Sequence, residues 1–168
     1  MPRKRKELTD EAAFDRMAAL CARSEQSTGE VRQKLYRLGI GGERSDAIIS
    51  RLVEERFIDN ARYARAYVSD KMRFAYWGRR KIRIGLRAKG VDESYIVRAM
   101  DEIDMDEYRE IMLRLGRAKI KSMKLDPLTV NDRGRLYMAL VGRGYEPAFM
   151  SGIISTLCDE WKADRSEE

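Results

Sequence analysis

Three glycines frame this chain of 168 residues. Gly39, Gly90 and Gly144 each follow a leucine by four positions (Leu35, Leu86 and Leu140) and an aliphatic residue by eight (Val31, Ile82 and Leu136). An apolar stripe that stops at glycine marks an amphipathic helix ending in a left-handed cap, a backbone conformation that side chains resist and glycine does not. Beyond each glycine, the ninth, tenth and thirteenth positions are again apolar: Ile48, Ile49 and Leu52, then Ala99, Met100 and Ile103, then Ile153, Ile154 and Leu157. The glycines lie 51 and 54 residues apart. Offsets that hold on both sides of all three predict an internal repeat.

Each repeat is expected to hold three helices, because a further helical segment precedes each glycine-capped one: about Glu11 to Ser24, Asn60 to Tyr76, and Asp106 to Lys124. Ser27 and Glu30 have capping-box spacing, Asp59 and Asp92 stand where helices begin, and Pro147 suits a first helical position. With only three prolines and apolar residues recurring every three to four positions, the chain reads as all-α. The expected organisation is a basic N-terminal tail (1–10), three-helix repeats at 11–57, 58–104 and 105–161, and an acidic C-terminal tail (162–168). Units of this size bury little apolar surface alone, so they are expected to stack in an elongated, curved array of the kind used for binding.

Composition excludes several chemistries. The chain has no histidine, which removes the commonest general base and zinc ligand, and its two cysteines, Cys21 and Cys158, stand at opposite ends. No metal, cofactor or catalytic residue is expected, no phosphate-cradling glycine loop is visible, and both thiols read as small core residues. The basic start Arg3 to Lys6 is followed by Glu7, Asp10 and Glu11 rather than an apolar stretch, so it does not read as a signal peptide. Met17 to Ala22 is far short of the roughly 20 residues needed to span a bilayer. A cytoplasmic, monomeric protein without a membrane partner is expected.

Charge is segregated. Between Ala61 and Val91 stand ten basic residues and one acid, Asp70; that segment carries +9, the tail Arg3 to Lys6 carries +4, and the rest carries −7 of a total of +6. Such separation suits a polyanion or an acidic protein face. On the helix after Asp59, Tyr63, Ala64, Tyr67, Val68 and Met72 share a packing face, leaving Arg62, Arg65, Ser69 and Arg73 outward. On the next helix Ile82 and Leu86 pack, leaving Arg80, Arg83 and Arg87 as a stripe with Arg79 and Lys81 at its start. Arginine offers a forked donor pair to phosphate or carboxylate. Arg73, Arg80, Arg83 and Arg87 are expected to carry most of the attachment, supported by Arg62, Arg65 and Lys71. Trp77 reads either as a stacking platform or, together with Phe74, as a plug between helices at the turn.

These residues resemble the RecX family, regulators of the bacterial RecA recombinase. The likeness rests on the run from Phe57 to Val68 (Phe-Ile-Asp-Asn-Ala-Arg-Tyr-Ala-Arg-Ala-Tyr-Val), on Gly78-Arg79-Arg80-Lys81-Ile82, on Leu86 to Val91, and on Glu30 to Leu35 in the first repeat. It extends from about Ala12 to Cys158. Two positions depart from the family pattern: Gly85 replaces an acidic residue before Leu86, and Leu38 replaces a lysine before Gly39. The resemblance implies a non-enzymatic protein that binds the RecA filament on single-stranded DNA, restraining its ATPase, strand exchange and growth, and so modulating recombination, repair and the SOS response.

A competing reading is a helix-turn-helix transcription regulator with Arg79 to Lys89 as recognition helix. That helix lacks the Asn and Gln that read adenine, and no dimerisation segment supplies a second half-site.

Overall fold

The structure, a computed structural model, describes residues 8–123 and 129–166. Among these residues the chain forms α1 (Asp10–Arg23), α2 (Thr28–Arg37), α3 (Gly42–Glu54), α4 (Asn60–Arg73), α5 (Arg79–Ala88), α6 (Glu93–Asp101), α7 (Met105–Met123), α8 (Val130–Gly142) and α9 (Pro147–Ser166). The fold is all-α, and α1–α3, α4–α6 and α7–α9 are the three consecutive three-helix repeats framed by the glycines. The tail Arg3 to Lys6, Lys124 and the last two residues of the acidic tail lie outside the described residues.

Most helix starts follow the expected signals. Ser27 accepts from the Glu30 N–H at 3.1 Å while Glu30 accepts from the Ser27 N–H at 3.3 Å, completing the capping box. Asp59 accepts from the Arg62 N–H at 2.9 Å, and Pro147 is the first residue of α9. Asp92 directly precedes α6, accepting through its carbonyl from the N–H groups of Tyr95 and Ile96. One boundary needs correction: α4 ends at Arg73, not Tyr76. The Trp77 N–H turns back to the Lys71 carbonyl, and Tyr76 takes φ +54°, so the chain has left helical geometry three residues early.

The anchoring glycines are left-handed, with φ of +81°, +68° and +91° at Gly39, Gly90 and Gly144. The residue after each donates to the leucine five positions back: Ile40 to Leu35 (2.9 Å), Val91 to Leu86 (3.2 Å) and Tyr145 to Leu140 (3.3 Å). Ile40, Val91 and Tyr145 are also buried, which is the hydrophobic contact that accompanies this kind of helix stop.

Contacts gather the described residues into two units: those from 8 to 66 with Leu86–Arg98, and Tyr67–Gly85 with those from 99 to 123 and 129 to 166. In the first, α3 packs against α1 and α2 over Phe14, Met17, Leu35, Ile48 and Leu52. Phe14 meets Phe57 edge-on at 6.0 Å, and the Arg51 guanidinium lies 3.7 Å over the Phe14 ring. In the second, α7, α8 and α9 pack on one another around Tyr108, Leu136, Leu140, Met150, Ile153 and Leu157. Of the nine apolar positions beyond the glycines, eight are buried and Ile154 is half-buried. Cys158 is buried as expected; Cys21, also free, is only half-buried.

Each unit contains a joint where the start of a glycine-capped helix meets the glycine turn of the next repeat. In the first unit the Ser27 hydroxyl donates to the Lys89 carbonyl at 2.5 Å, and the Lys89 ammonium pairs with Glu30 at 2.8 Å. A β-carbon on Gly29 would fall 2.4 Å from that carbonyl oxygen. In the second unit the Gly78 N–H donates to the Arg143 carbonyl at 2.8 Å, and the Arg80 N–H to Gly144 at 3.1 Å. The Arg143 guanidinium reaches the Ala75 carbonyl at 3.1 Å. The residue before the turn glycine therefore serves both joints twice, with its carbonyl and with its cationic side chain. Gly39 has no such neighbour, since nothing lies within 4 Å of where its β-carbon would be. Leu38 accordingly packs against the first core, which explains its departure from the lysine pattern.

Candidate functional site

The basic residues between Ala61 and Val91 fall in both units. In the first, Tyr63 and Ala64 are buried on α4 while Arg62 and Arg65 are exposed, as the helical spacing predicts. Arg62 pairs with Glu25 at 2.5 Å, Arg87 with Glu93 through two hydrogen bonds of 2.8 and 3.0 Å, and Lys89 with Glu30. Partial burial would raise the Glu30 carboxyl, but the bonds from Lys89 and the Ser27 N–H outweigh it and hold the group below its usual range.

In the second unit Lys71 lies 3.0 Å from Asp70, and Arg73 grips Glu107 through bonds of 2.7 and 2.9 Å that hold its carboxyl below the usual range. The Arg79 guanidinium lies 3.3 Å from Glu146. Its backbone N–H donates to the Tyr108 hydroxyl at 2.9 Å, which donates to Glu146 at 2.6 Å. Burial, followed by this bond to a carboxylate, pushes the Tyr108 phenol strongly upward. Arg65 and Arg83 are also engaged within the molecule.

The +9 read along the segment from Ala61 to Val91 is thus largely cancelled in space, and the expectation that Arg73 and Arg87 stand outward as unengaged attachment points is corrected. Glu25, Glu30, Glu93, Glu107 and Glu146 are supplied by segments outside the basic run and close on it through folding. A count along the chain registers only the acids inside the window. Arg80 differs: it is exposed, and its guanidinium meets no carboxylate among the described residues.

Near it in sequence, Trp77 is half-buried, with the Lys81 ammonium 4.5 Å and the Lys71 ammonium 5.6 Å from its ring centroid. Both distances suit cation–π attraction. Phe74 does not form the plug that is one of the two readings of this turn. Phe74 is 77% exposed, because α4 stops at the residue before it and leaves its ring outside the turn. Tyr63 is core as expected; Tyr67 is half-buried, and a β-carbon on Gly85 would lie 2.3 Å from its hydroxyl. Gly85 therefore makes room for Tyr67, at a helix-propensity cost of about 1 kcal/mol relative to alanine.

Ile84, 65% exposed, had a signal in the sequence: it is out of phase with the buried pair Ile82 and Leu86. The site thus sets one exposed guanidinium, Arg80, and two half-buried lysines near the exposed apolar side chains of Phe74 and Ile84. Among the described residues no cluster of three metal-ligating side chains occurs, and no helix is long and apolar enough to cross a membrane.

Residues 59–100 match the family model described as RecX, second three-helix domain. Regulatory protein RecX of Pseudomonas savastanoi pv. phaseolicola is 31% identical over 136 residues, covering 81% of this chain and 85% of that protein. Its counterpart in Clostridium botulinum (strain Eklund 17B / Type B) is 32% identical over 117 residues, or 69% of this chain; the chain spans about half of that relative, 54%. The crystal structure of RecX from Lactobacillus salivarius superposes with a TM-score of 0.81 at 21% identity, covering 88% of this chain and 96% of its own.

Proposed function

Because this chain belongs to the RecX family of regulatory proteins, we propose that it binds a RecA filament on single-stranded DNA in the cytoplasm and inhibits its ATPase, strand exchange and growth. The observation that carries the site assignment is Arg80: an exposed guanidinium that meets no carboxylate among the described residues, on a helix whose backbone start is tied to the Gly144 turn. Its backbone is positioned by the fold while its forked donor remains available to phosphate or carboxylate. Lys81 and Lys71 beside Trp77 extend the cationic character, and Phe74 and Ile84 add apolar contact.

Arg62, Arg73, Arg79, Arg83, Arg87 and Arg65 support the attachment by exchange. The pairs of Arg62, Arg73 and Arg87 are exposed, so water and salt already weaken them and a partner's anion replaces Glu25, Glu107 or Glu93 at little cost. Inhibition follows from differential affinity: a regulator that holds one filament state more tightly than the cycling state shifts the population toward it.

The test is single-stranded-DNA-dependent ATP hydrolysis by the cognate recombinase. Wild-type protein lowers turnover, and Arg80→Ala with Lys81→Ala requires about tenfold more protein for the same effect, about 1.4 kcal/mol. Turnover untouched by the wild type rejects the regulator reading; equal inhibition by the double variant rejects the site. Tight discrimination among duplex sequences would instead favour a transcription regulator.

A further inference from the structure

A second cationic surface lies in the first unit, on residues outside the basic run. There α3 packs against both α1 and α2, whose backbones approach each other at few points, and a groove of about 450 Å³ lies between them. Its floor is apolar: Met17 is buried, and Leu20 and Leu38 are half-buried. Its rim carries Arg16 and Arg23 from α1 and Lys34 and Arg37 from α2. Arg16, Leu20 and Arg23 follow one another at helical spacing, so one face of α1 brings cation, apolar residue and cation to the groove.

Among the described residues no carboxylate lines it. None of the four cations has an ion pair or side-chain hydrogen bond among the described residues, unlike most of the arginines on α4 and α5. The fold tolerates this concentration of like charge because Arg23, Lys34 and Arg37 stand in the last turns of their helices, where the carbonyl ends are negative.

We infer that this groove docks an acidic peptide segment carrying an apolar side chain, presented by a protein partner. Charge complementarity calls for carboxylates on the rim, and the Met17, Leu20 and Leu38 floor calls for an aliphatic side chain between them. Met17 lets the floor adapt to that side chain. A nucleic-acid strand fits less well: among the described residues no aromatic side chain lines the groove to stack a base, and an apolar floor gives sugar and phosphate nothing to bond. None of these residues belongs to α4 or α5, so the inference stands or falls separately from the regulator reading.

The test is fluorescence polarisation with the full chain and a fluorescein-labelled twelve-residue peptide of the repeat Glu-Glu-Leu. Three results are expected. Arg16→Glu with Arg37→Glu weakens binding at least tenfold; replacing the peptide leucines by serine weakens it at least fivefold; and a charge-matched control, Arg114→Glu with Arg133→Glu on α7 and α8, changes it less than twofold. The four arginines are exposed, and circular dichroism checks that both double variants keep their helices. Equal weakening by both double variants shows a net-charge effect and overturns the proposal. So does a serine peptide that binds as well as the leucine one. Displacement of the peptide by oligothymidylate of equal charge, lost in the Arg16/Arg37 variant alone, overturns it in favour of a nucleic-acid site.

Discussion

Alanine at Gly144 and alanine at Gly39 impose the same left-handed strain but meet different surroundings, so the pair isolates the energetic weight of a joint. At Gly39 the φ of +81° makes a β-carbon unfavourable by roughly 1–2 kcal/mol, and nothing within 4 Å adds to that. At Gly144 the backbone strain is similar, at φ +91°, but the new carbon would lie 2.4 Å from the Lys81 β-carbon and 2.7 Å from the Lys81 backbone nitrogen. Neither atom is the free end of a side chain, so the turn must separate from the start of α5. Separation weakens the hydrogen bonds from Gly78 to Arg143 and from Arg80 to Gly144, at about 1 kcal/mol each. Gly144→Ala should therefore cost about 3–4 kcal/mol against about 1–2 for Gly39→Ala. For a chain of this length the difference of about 2 kcal/mol is about 4–8 °C in Tm. Thermal unfolding followed at the helical circular dichroism band reads it directly. Equal losses for the two variants would refute the argument that backbone approach at the joint is tightly held.

Two further outcomes follow from the same contacts. Glu30→Gln keeps a capping side chain but removes the charge that Lys89 engages. The Glu30 carboxyl is depressed in the folded state, so its contribution is present above the unfolded value of about 4.3 and lost as pH falls through the folded one. In urea titrations the wild type should exceed Glu30→Gln at pH 7 and the gap should close in the acid range below pH 4; a gap unchanged at acid pH sinks the assignment. Tyr108→Phe leaves the Arg79 N–H and Glu146 without their shared partner and should cost about 1–3 kcal/mol by chemical denaturation, whereas a cost near zero would show that the hydroxyl is replaceable.

The repeat, its helices and its stops were legible in sequence because they are local. A left-handed glycine after Leu35, Leu86 or Leu140 and an apolar stripe at helical spacing depend on residues only a few positions apart, and capping boxes such as Ser27–Glu30 close within one turn. The inward faces of α4 and α5 followed from the same periodicity. The end of α4 was missed, since no glycine or proline marks Tyr76, which takes a left-handed conformation without the residue type that advertises it.

Electrostatics was decided by tertiary structure. Whether an arginine is balanced depends on acids brought within a few ångströms, and Glu25, Glu93, Glu107 and Glu146 reach Arg62, Arg87, Arg73 and Arg79 across separations of six to 67 residues. The same holds for what stands free. Arg16 and Arg37 look like ordinary surface charges along the chain, and only the packing of α1 and α2 on α3 sets them around one apolar groove. Backbone conformation and amphipathic phase are written within a turn or two of helix; the pairing or isolation of charge is a property of distance in space, which the chain order does not contain.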